Sequence, residues 1–202
     1  YTDVLIDGNY AYLSSYSGLA VYDISDPSSP ILAGGVDNIG YVRDLVIVGD
    51  YAFTACANQP VFVYDLNDPA NPQFADVIPT PGYSYGITAD GDHVYVADIR
   101  DGLRVLDISD PLNGFETGFC SPPNLIFQVA LQGDYAYLVH KNDGFAVVDI
   151  SDPASPVETG RLELSQNILD VAVDGDYAYV TTGSYDDLLV IDISDPTAPI
   201  LH

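Results

Sequence analysis

Three aspartates occupy equivalent places in a chain that repeats itself five times. They are Asp3, Asp44 and Asp170, and the other two equivalent places hold Gly86 and Gln128. Carboxylates that converge on one point can hold a hard cation such as Ca²⁺ together with carbonyl oxygens and water. Two carboxylates set apart across a glycosidic bond can instead hydrolyse it. The alternative, which these residue types favour, is that the side chains only bond to neighbouring backbone or to channel water.

A second set of candidates is expected at the same end of the units as the three aspartates, mostly in loops that differ from one unit to the next. It includes three of only five basic residues, and tyrosines, which offer apolar area with a polar hydroxyl. Scattered surface aromatics also occur without any function. If this face binds a ligand, we expect contacts from Tyr16, Arg43, Arg100, Lys141 and Tyr185.

Other reactive residues give no pattern that predicts chemistry. The three histidines (His93, His140 and His202) are not spaced like metal ligands, so a zinc site is not expected. Cys56 and Cys120 fall at non-equivalent positions of different units, which favours two free thiols and leaves a disulfide open. No nucleophile–base pair is recognisable, so the chain is not expected to be an enzyme.

The elements that must position these residues are set by two sequence markers. The first is Asp-Ile-Ser-Asp-Pro, or its variant Asp-Leu-Asn-Asp-Pro, whose first aspartates stand at 23, 65, 107, 149 and 192. The second is Gly-Asp-Tyr-Ala-aromatic or a close variant, and its glycines stand at 8, 49, 91, 133 and 175. Two markers in register five times predict a repeat protein with a unit of about 42 residues.

Each unit has the pattern of a four-stranded antiparallel meander. In the fourth unit, short apolar runs flank the hairpin signal Gly133–Asp134, and a third run ends at the Asp-Pro turn. Large aromatic and small alanine side chains alternate on the second strand, so one face is bulky and the other is small. Sheets whose two faces must both be covered are typical of a β-propeller.

The sequence therefore predicts an all-β, five-bladed β-propeller forming a single domain over residues 1–202. The expected blades are 1–40, 41–82, 83–124, 125–166 and 167–202, and the last fourth strand is cut short. A linear solenoid is the structural alternative, but it requires distinct capping units that the sequence lacks. Whether the first and fifth units meet in a closed ring is left open, because five is only the count within this sequence.

Two segments carry a resemblance to a known family. Leu188–Pro196 (LLVIDISDP) and Gly102–Pro111 (GLRVLDISDP) resemble the LVIVD repeat, and the resemblance extends over all five units, most loosely over the second. That family occurs in bacterial and archaeal surface or secreted proteins, so the resemblance implies a propeller and an extracellular location. It implies no catalytic or binding residues. The layout is also similar to that of WD repeats, in which the first strand of each unit is innermost.

The charge restricts the class of partner. The net charge is −25, with 30 acidic and five basic residues, and most of the acids are turn aspartates. The strongly negative electrostatic field of such a protein argues against nucleic acid or an anionic membrane as a partner. No apolar run approaches the length of a membrane-spanning helix. The chain also opens directly inside a strand, which suggests a processed or partial protein.

These observations favour a non-enzymatic binding or scaffolding module of a secreted or cell-surface protein. We expect it to use the variable loop face for contacts with protein or carbohydrate, with Ca²⁺ as the only possible cofactor, held by Asp3, Asp44 and Asp170. One alternative is a glycoside hydrolase with carboxylates at the channel mouth. Another is a structural tile of an extracellular assembly, in which a foreign strand completes the last unit.

Overall fold

The computed structural model describes residues 2–37, 40–57, 59–121, 125–141, 144–183 and 188–202. This part of the chain contains twenty strands and no helix, and so no helix long and apolar enough to cross a membrane. The first ten strands are β1 (Asp3–Asp7), β2 (Tyr10–Ser14), β3 (Gly18–Asp23), β4 (Ile31–Asp37), β5 (Val42–Val48), β6 (Tyr51–Cys56), β7 (Val61–Asp65), β8 (Gln73–Ile78), β9 (Ser84–Asp90) and β10 (His93–Asp98). The second ten are β11 (Gly102–Asp107), β12 (Phe115–Cys120), β13 (Ile126–Gln132), β14 (Tyr135–His140), β15 (Gly144–Asp149), β16 (Val157–Leu162), β17 (Ile168–Asp174), β18 (Tyr177–Thr182), β19 (Leu188–Asp192) and β20 (Ile200–Leu201).

The strands form five antiparallel sheets of four, each connected as a simple meander. The first strands of successive sheets lie against one another, β1 on β5, β5 on β9, β9 on β13 and β13 on β17, so they are the innermost strands. The sheets are the five blades of a β-propeller, which confirms the predicted fold class. Blades 1 to 5 are numbered here in chain order.

The second sequence marker forms the hairpin between the first two strands of each blade. Val48 pairs with Tyr51, which leaves a two-residue loop at Gly49 and Asp50. Gly49 adopts a φ of 58°, in the left-handed region that only glycine reaches without strain. The four equivalent glycines have φ angles between 54° and 58°, which explains why this glycine recurs in every unit.

The two markers keep the same register because they bond to each other. In each blade, the second residue of the pentapeptide donates its N–H to the carbonyl of the residue that follows the hairpin glycine, over 2.7–2.8 Å. The pairs are Ile24–Asn9, Leu66–Asp50, Ile108–Asp92, Ile150–Asp134 and Ile193–Asp176. The first Asp of the pentapeptide also accepts an N–H from the residue two positions on, as Asp149 does from Ser151 at 2.9 Å. The pentapeptide therefore closes each blade at the end that carries the hairpin between its first two strands.

The hydrophobic core lies between consecutive blades. Buried Tyr12 of blade 1 belongs to one cluster with Leu45 and Ala52 of blade 2, and buried Tyr137 of blade 4 clusters with Val171 of blade 5. Burial of one such side chain stabilises the fold by roughly 1.5–3 kcal/mol. The bulky face of each blade thus fills the space left by the small face of the next, as the alternation of aromatic and alanine residues predicts.

The outer strands also touch the next blade through glycine. Gly118 on β12 lies so close to the carbonyl oxygen of Pro153 in blade 4 that an added Cβ would collide with it, and Gly160 lies similarly against Pro196 in blade 5. Both prolines belong to the pentapeptide. This marker therefore also packs against the outer strand of the preceding blade, a contact beyond the turn that its sequence indicates.

Blades 1 and 5 each have one face that no other blade covers in the described part of the chain. On blade 1 this face includes Val4 and Ile6, and on blade 5 it includes Tyr179 and Leu188, all of them exposed. The two faces therefore do not bury each other as consecutive blades do. Cys56 and Cys120, in blades 2 and 3, are both free thiols, as the sequence favours.

Candidate ligand-binding site at the channel mouth

The polar residues at the start of the inner strands surround one pocket of about 220 Å³. This pocket lies at the end of the blades where Asp44 pairs with Ala55. The hairpins and pentapeptides lie at the other end, where Tyr51 pairs with Asp65. We call this pocket the channel mouth. Its lining residues are Thr2, Asp3, Arg43, Asp44, Tyr85, Gln128, Leu169 and Asp170.

Asp44 is the centre of the hydrogen-bond network in the channel mouth. Its Oδ1 accepts the N–H of Leu45 at 2.8 Å, and its Oδ2 accepts the N–H of Ile87 in blade 3 at 2.9 Å. The same Oδ2 accepts the side-chain amide of Gln128 in blade 4 at 3.2 Å. One carboxylate therefore connects three blades through hydrogen bonds.

Burial raises the pKa of Asp44 to about 7. The backbone N–H of Ile87 acts in the opposite direction, while the charge of Asp3 and a hydrogen bond with its carboxyl raise the pKa further. Asp3 belongs to blade 1, so the charge that acts on Asp44 comes from a fourth blade.

Gly86 gives Gln128 access to Asp44. Gly86 is the equivalent of Asp44 in blade 3, and a Cβ added there would collide with Oε1 of Gln128. Gln128 Oε1 accepts the N–H of Val129 at 3.1 Å, and Asp170 Oδ1 accepts the N–H of Val171 at 2.9 Å in the same way. We call the five equivalent positions at the start of the inner strands (Asp3, Asp44, Gly86, Gln128 and Asp170) the ring positions. The backbone bonds that the sequence favours are therefore present at Gln128 and Asp170, but Gln128 also reaches across blade 3 to Asp44.

The predicted Ca²⁺ site does not fit this arrangement. Calcium requires several oxygen ligands converging at 2.3–2.6 Å. Within the described ranges, no three acidic, histidine or cysteine side chains come together in a way that could hold a metal ion. Asp44 is also engaged by three N–H donors and by Asp3, and Asp170 by Val171.

Arg43 lies between two tyrosine rings at the edge of the channel mouth. Its guanidinium carbon is 3.8 Å from the centre of the Tyr41 ring and 4.4 Å from the centre of the Tyr85 ring. Its Nη1 donates to the hydroxyl of Tyr41 at 2.8 Å and to that of Tyr85 at 3.1 Å. These are cation–π contacts reinforced by hydrogen bonds, and they hold the arginine side chain in one position.

Further aromatic residues extend this stack in both directions. Tyr16 stacks on Tyr41 with 4.2 Å between ring centres, and Tyr85 meets Phe127 edge to face at 5.0 Å. The Nζ of Lys141 lies 5.6 Å from the centre of the Phe127 ring. We call this set the aromatic arc; it follows the channel mouth from blade 1 to blade 4 and comprises Tyr16, Tyr41, Arg43, Tyr85, Phe127 and Lys141.

The structure brings together most of the predicted site residues. Asp3, Asp44, Gln128, Asp170 and Arg43 line the channel mouth. Tyr16 and Lys141 belong to the aromatic arc. Arg100 does not line the channel mouth; it lies 5.6 Å from the centre of the Tyr83 ring, outside the arc. Tyr185 lies outside the described residues.

Sequence reasoning missed four residues of this surface. Thr2, Tyr85 and Leu169 line the channel mouth, and Phe127 connects Tyr85 to Lys141. All four directly precede a ring position, as Arg43 does. The repeat register that selected the ring residues could have selected their predecessors too, because both positions stand at the entrance of the innermost strand.

Comparison with known proteins agrees with this architecture. The model of the LVIVD repeat matches residues 2–38, 39–80, 81–120, 127–163 and 167–202. The chain belongs to the LVIVD repeat family. The five LVIVD repeats correspond to the five blades, and the resemblance seen in the sequence is confirmed. No match is found among curated proteins.

Solved structures share the fold of this LVIVD repeat protein at low identity. A functionally unknown protein from Desulfotomaculum acetoxidans DSM 771 matches 95% of this chain and 65% of its own length, at 17% identity and a TM-score of 0.78. The computationally designed Ika8 protein matches 99% of this chain and 59% of its own length, at 14% identity and a TM-score of 0.75. The designed Ika4 protein matches 74% of this chain and 89% of its own length, at 10% identity and a TM-score of 0.61. The chain thus spans less than two thirds of the first two proteins.

Proposed function

We propose that this LVIVD repeat protein is a non-enzymatic binding module of a secreted or cell-surface protein. Its ligand would contact the channel mouth and the aromatic arc, and the pentapeptide face would serve only the fold. The observation that carries the proposal is the convergence of residues from separate blades on one polar pocket. Binding sites are typically concave, with a few polar groups placed among aromatic side chains.

The chemistry of the pocket favours a cationic group. Asp3, Asp44 and Asp170 line it, and the ion pairs of the described residues lie elsewhere, at Arg104 and Arg161. The guanidinium of Arg43 points to the tyrosines and donates to their hydroxyls. An ammonium or guanidinium from a ligand would therefore find the carboxylates of Asp3 and Asp170 without a basic partner, beside rings that already bind one cation.

The net charge of −25 supports the same class of ligand. A field of this sign attracts basic segments over several ångströms and repels nucleic acid and anionic membranes. We therefore propose that the partner is a protein with an exposed lysine or arginine, and that one such side chain enters the channel mouth. The exposed ring of Tyr16 would then contact an apolar part of the same segment.

The glycoside hydrolase alternative has less support. Glycosidases need two carboxyl groups that can reach the scissile bond, one as acid and one as nucleophile or base. Both carboxylate oxygens of Asp44 instead accept backbone N–H groups, from Leu45 and Ile87.

Calorimetric titration with pentalysine tests the proposal. The site variant is Asp3→Asn/Asp170→Asn, and the matched control is Asp50→Asn/Asp134→Asn, which removes the same charge from exposed hairpins on the opposite face. We expect the site variant to bind about tenfold more weakly and the control to bind like the wild type. Equal weakening in both variants would mean diffuse attraction and would overturn the proposal. Absence of pentalysine binding, with binding to neutral oligosaccharides on a glycan array, would assign the face to carbohydrate.

A further inference from the structure

The last residue of the second strand is buried in every blade, and in blade 3 it is an aspartate. Asp98 ends β10 and has no exposed surface. The residues at the equivalent places are not acidic; they are Ser14, Cys56, His140 and Thr182. The blade therefore forms without a carboxylate at this position, and burying one is costly unless its charge is compensated.

The protein satisfies only one oxygen of the Asp98 carboxylate. Oδ2 accepts the N–H of Gly82, in the loop before β9, at 2.9 Å. Oδ1 is buried and has no hydrogen-bond partner in the part of the chain that the structure describes. Burial raises the pKa of Asp98, nearby backbone N–H groups act in the opposite direction, and the charge of Asp101 raises the pKa further. A buried carboxylate oxygen without a partner is available to a ligand from outside the chain.

A second carboxylate oxygen faces the same point. Asp101 lies in the turn between β10 and β11, where its N–H donates to the carbonyl of Asp98 at 2.9 Å. A Cβ added to Gly82 would collide with Asp98 Oδ1 and with Asp101 Oδ2, so the two oxygens converge beside this glycine. Because Ca²⁺ binds oxygen at about 2.3–2.6 Å, one ion can contact oxygens up to about 5 Å apart. Both oxygens are therefore within reach of a single cation.

The basic residues nearby do not compensate this pair of oxygens. Arg104 lies 3.4 Å from a carboxylate oxygen of Glu116 and 3.8 Å from Oδ1 of Asp101, which is not the oxygen beside Gly82. Arg100 lies over the ring of Tyr83, at 5.6 Å from its centre. One arginine thus serves several carboxylates, and the cluster keeps an excess of negative charge that a bound cation would neutralise.

Water and neutral oxygens would complete the coordination of such a cation. No third acidic, histidine or cysteine side chain joins the pair within the described ranges. The Asp101 side chain is 39% exposed, which gives access to solvent. Ser84 lies opposite Asp98 in register, and its hydroxyl is 3.0 Å from that of Thr80. Ca²⁺ accepts such mixed oxygen ligands in flexible geometry, whereas Mg²⁺ requires a nearly ideal octahedron.

We propose that Asp98 and Asp101 bind a Ca²⁺ ion on blade 3. With only two carboxylates, the site belongs to the weak class found in extracellular modules, with a dissociation constant of about 1 mM. The ion connects the loop before β9 to the turn after β10, because Asp98 already bonds to Gly82. This site shares no residue with the channel mouth, and its ion is independent of the ligand proposed there.

Thermal unfolding of the calcium-stripped protein, with and without 10 mM CaCl₂, tests the site by mutation. Asp101→Asn is the site variant, since the exposed side chain can be replaced without loss of the fold. Asp98→Asn is the second variant. Asp110→Asn is the matched control, because it removes the same charge from an exposed turn at the other end of blade 3. We expect Ca²⁺ to raise the midpoint of the wild type and the control by about 3–5 °C, and that of Asp101→Asn by about a third as much.

An NMR titration of the wild type with CaCl₂ locates the ion even if Asp98→Asn does not fold. The amide signals of Gly82 and Asp101 should shift saturably with a midpoint near 1 mM, and that of Leu112, which donates to Asp110, should remain unchanged. An equal response of all variants to Ca²⁺, or to MgCl₂ at the same concentration, would mean charge screening and would overturn the proposal. Absence of any response, or a full response in a folded Asp98→Asn variant, would overturn it as well. Loss of the response in Asp3→Asn/Asp170→Asn alone would place the ion at the channel mouth instead.

Discussion

Gln128 donates its side-chain amide to Asp44 over 3.2 Å, although 84 residues separate them in sequence. The contact passes over Gly86, the one ring position without a side chain. Blades 2, 3 and 4 thereby meet at one carboxylate, whose pKa the charge of Asp3 in blade 1 also raises. The stability of the channel mouth and its charge are consequently coupled, and both can be tested through single residues.

Replacing Asp44 with asparagine should change how stability depends on pH. The pKa of Asp44 is about 7 in the folded protein and 3.8 in the unfolded chain. Protonation therefore stabilises the fold fully below about pH 4, and this stability is lost as the pH rises through about 7. An asparagine side chain cannot ionise, so the variant should gain on the wild type between about pH 5 and pH 8, by up to about 3 kcal/mol. Urea unfolding at both pH values measures the difference.

Asp50→Asn provides the control for this pH effect, because Asp50 lies exposed in a hairpin. The pentapeptide aspartates act in another pH range: hydrogen bonds from Ser151 hold the pKa of Asp149 below its usual value, so its contribution is lost only in acid. An Asp44→Asn variant that parallels the wild type from pH 5 to pH 8 would show that this carboxyl titrates normally.

Replacing Gly86 with alanine should disrupt the contact between Gln128 and Asp44. The new Cβ would collide with Gln128 Oε1 and come within 2.9 Å of its Cα, so we expect a loss of about 1–3 kcal/mol in the free energy of unfolding. Gln128→Ala removes the first collision but not the second. A double-mutant cycle should therefore give a coupling energy of at least about 0.5 kcal/mol. Strict additivity would mean that Gln128 is not held over Gly86.

Arg43 should stabilise the fold through the two tyrosines that enclose it. Arg43→Ala removes two cation–π contacts and two hydrogen bonds, and we expect a loss of about 1–2 kcal/mol in the free energy of unfolding. Arg43→Lys should recover part of this loss, because an ammonium keeps the charge but not the planar fork. Arg100→Ala is the control, since Arg100 approaches a single ring at 5.6 Å. Equal losses at the two positions, seen in urea unfolding, would argue against a special role for Arg43.

The pentapeptide should affect stability and leave ligand binding unchanged. In Asp149→Ala, Ser151 loses the acceptor of both its N–H and its hydroxyl, at 2.9 and 2.6 Å. We expect the thermal midpoint to fall by about 2–4 °C. Pentalysine binding should remain that of the wild type, because the turn lies at the opposite end of the blade. Weaker binding without unfolding would place the site on the pentapeptide face.

The features that could be predicted from the sequence are those that local bonds fix. The hairpin glycines and the pentapeptide are joined by a hydrogen bond within each blade, so their register reveals the strands directly. Ring membership of Asp3, Asp44, Gln128 and Asp170 follows from the same register. The convergence on Asp44 could not be predicted, because it depends on how closely the inner strands approach and on the missing side chain at Gly86.

Other features depended on three-dimensional neighbours that a single unit does not reveal. The sequence identifies Arg43 only as one of five basic residues. Its position depends on the rings of Tyr41 and Tyr85, which belong to two different blades. Val4 has the same pattern as the buried Leu45, yet it is exposed, because burial at this position comes from the preceding blade. Repetition therefore predicts which residues are equivalent but not which of them are covered.

The most direct test of the proposed binding site is an NMR titration of the amide signals with pentalysine. Four backbone N–H groups donate to side chains of the ring and report on the channel mouth: Leu45, Ile87, Val129 and Val171. Four others donate to pentapeptide aspartates and report on the opposite face: Ser25, Ser109, Ser151 and Ser194. We predict saturable shifts in the first group and unchanged signals in the second. Shifts that are equal in the two groups, or confined to the serines, would contradict a site at the channel mouth.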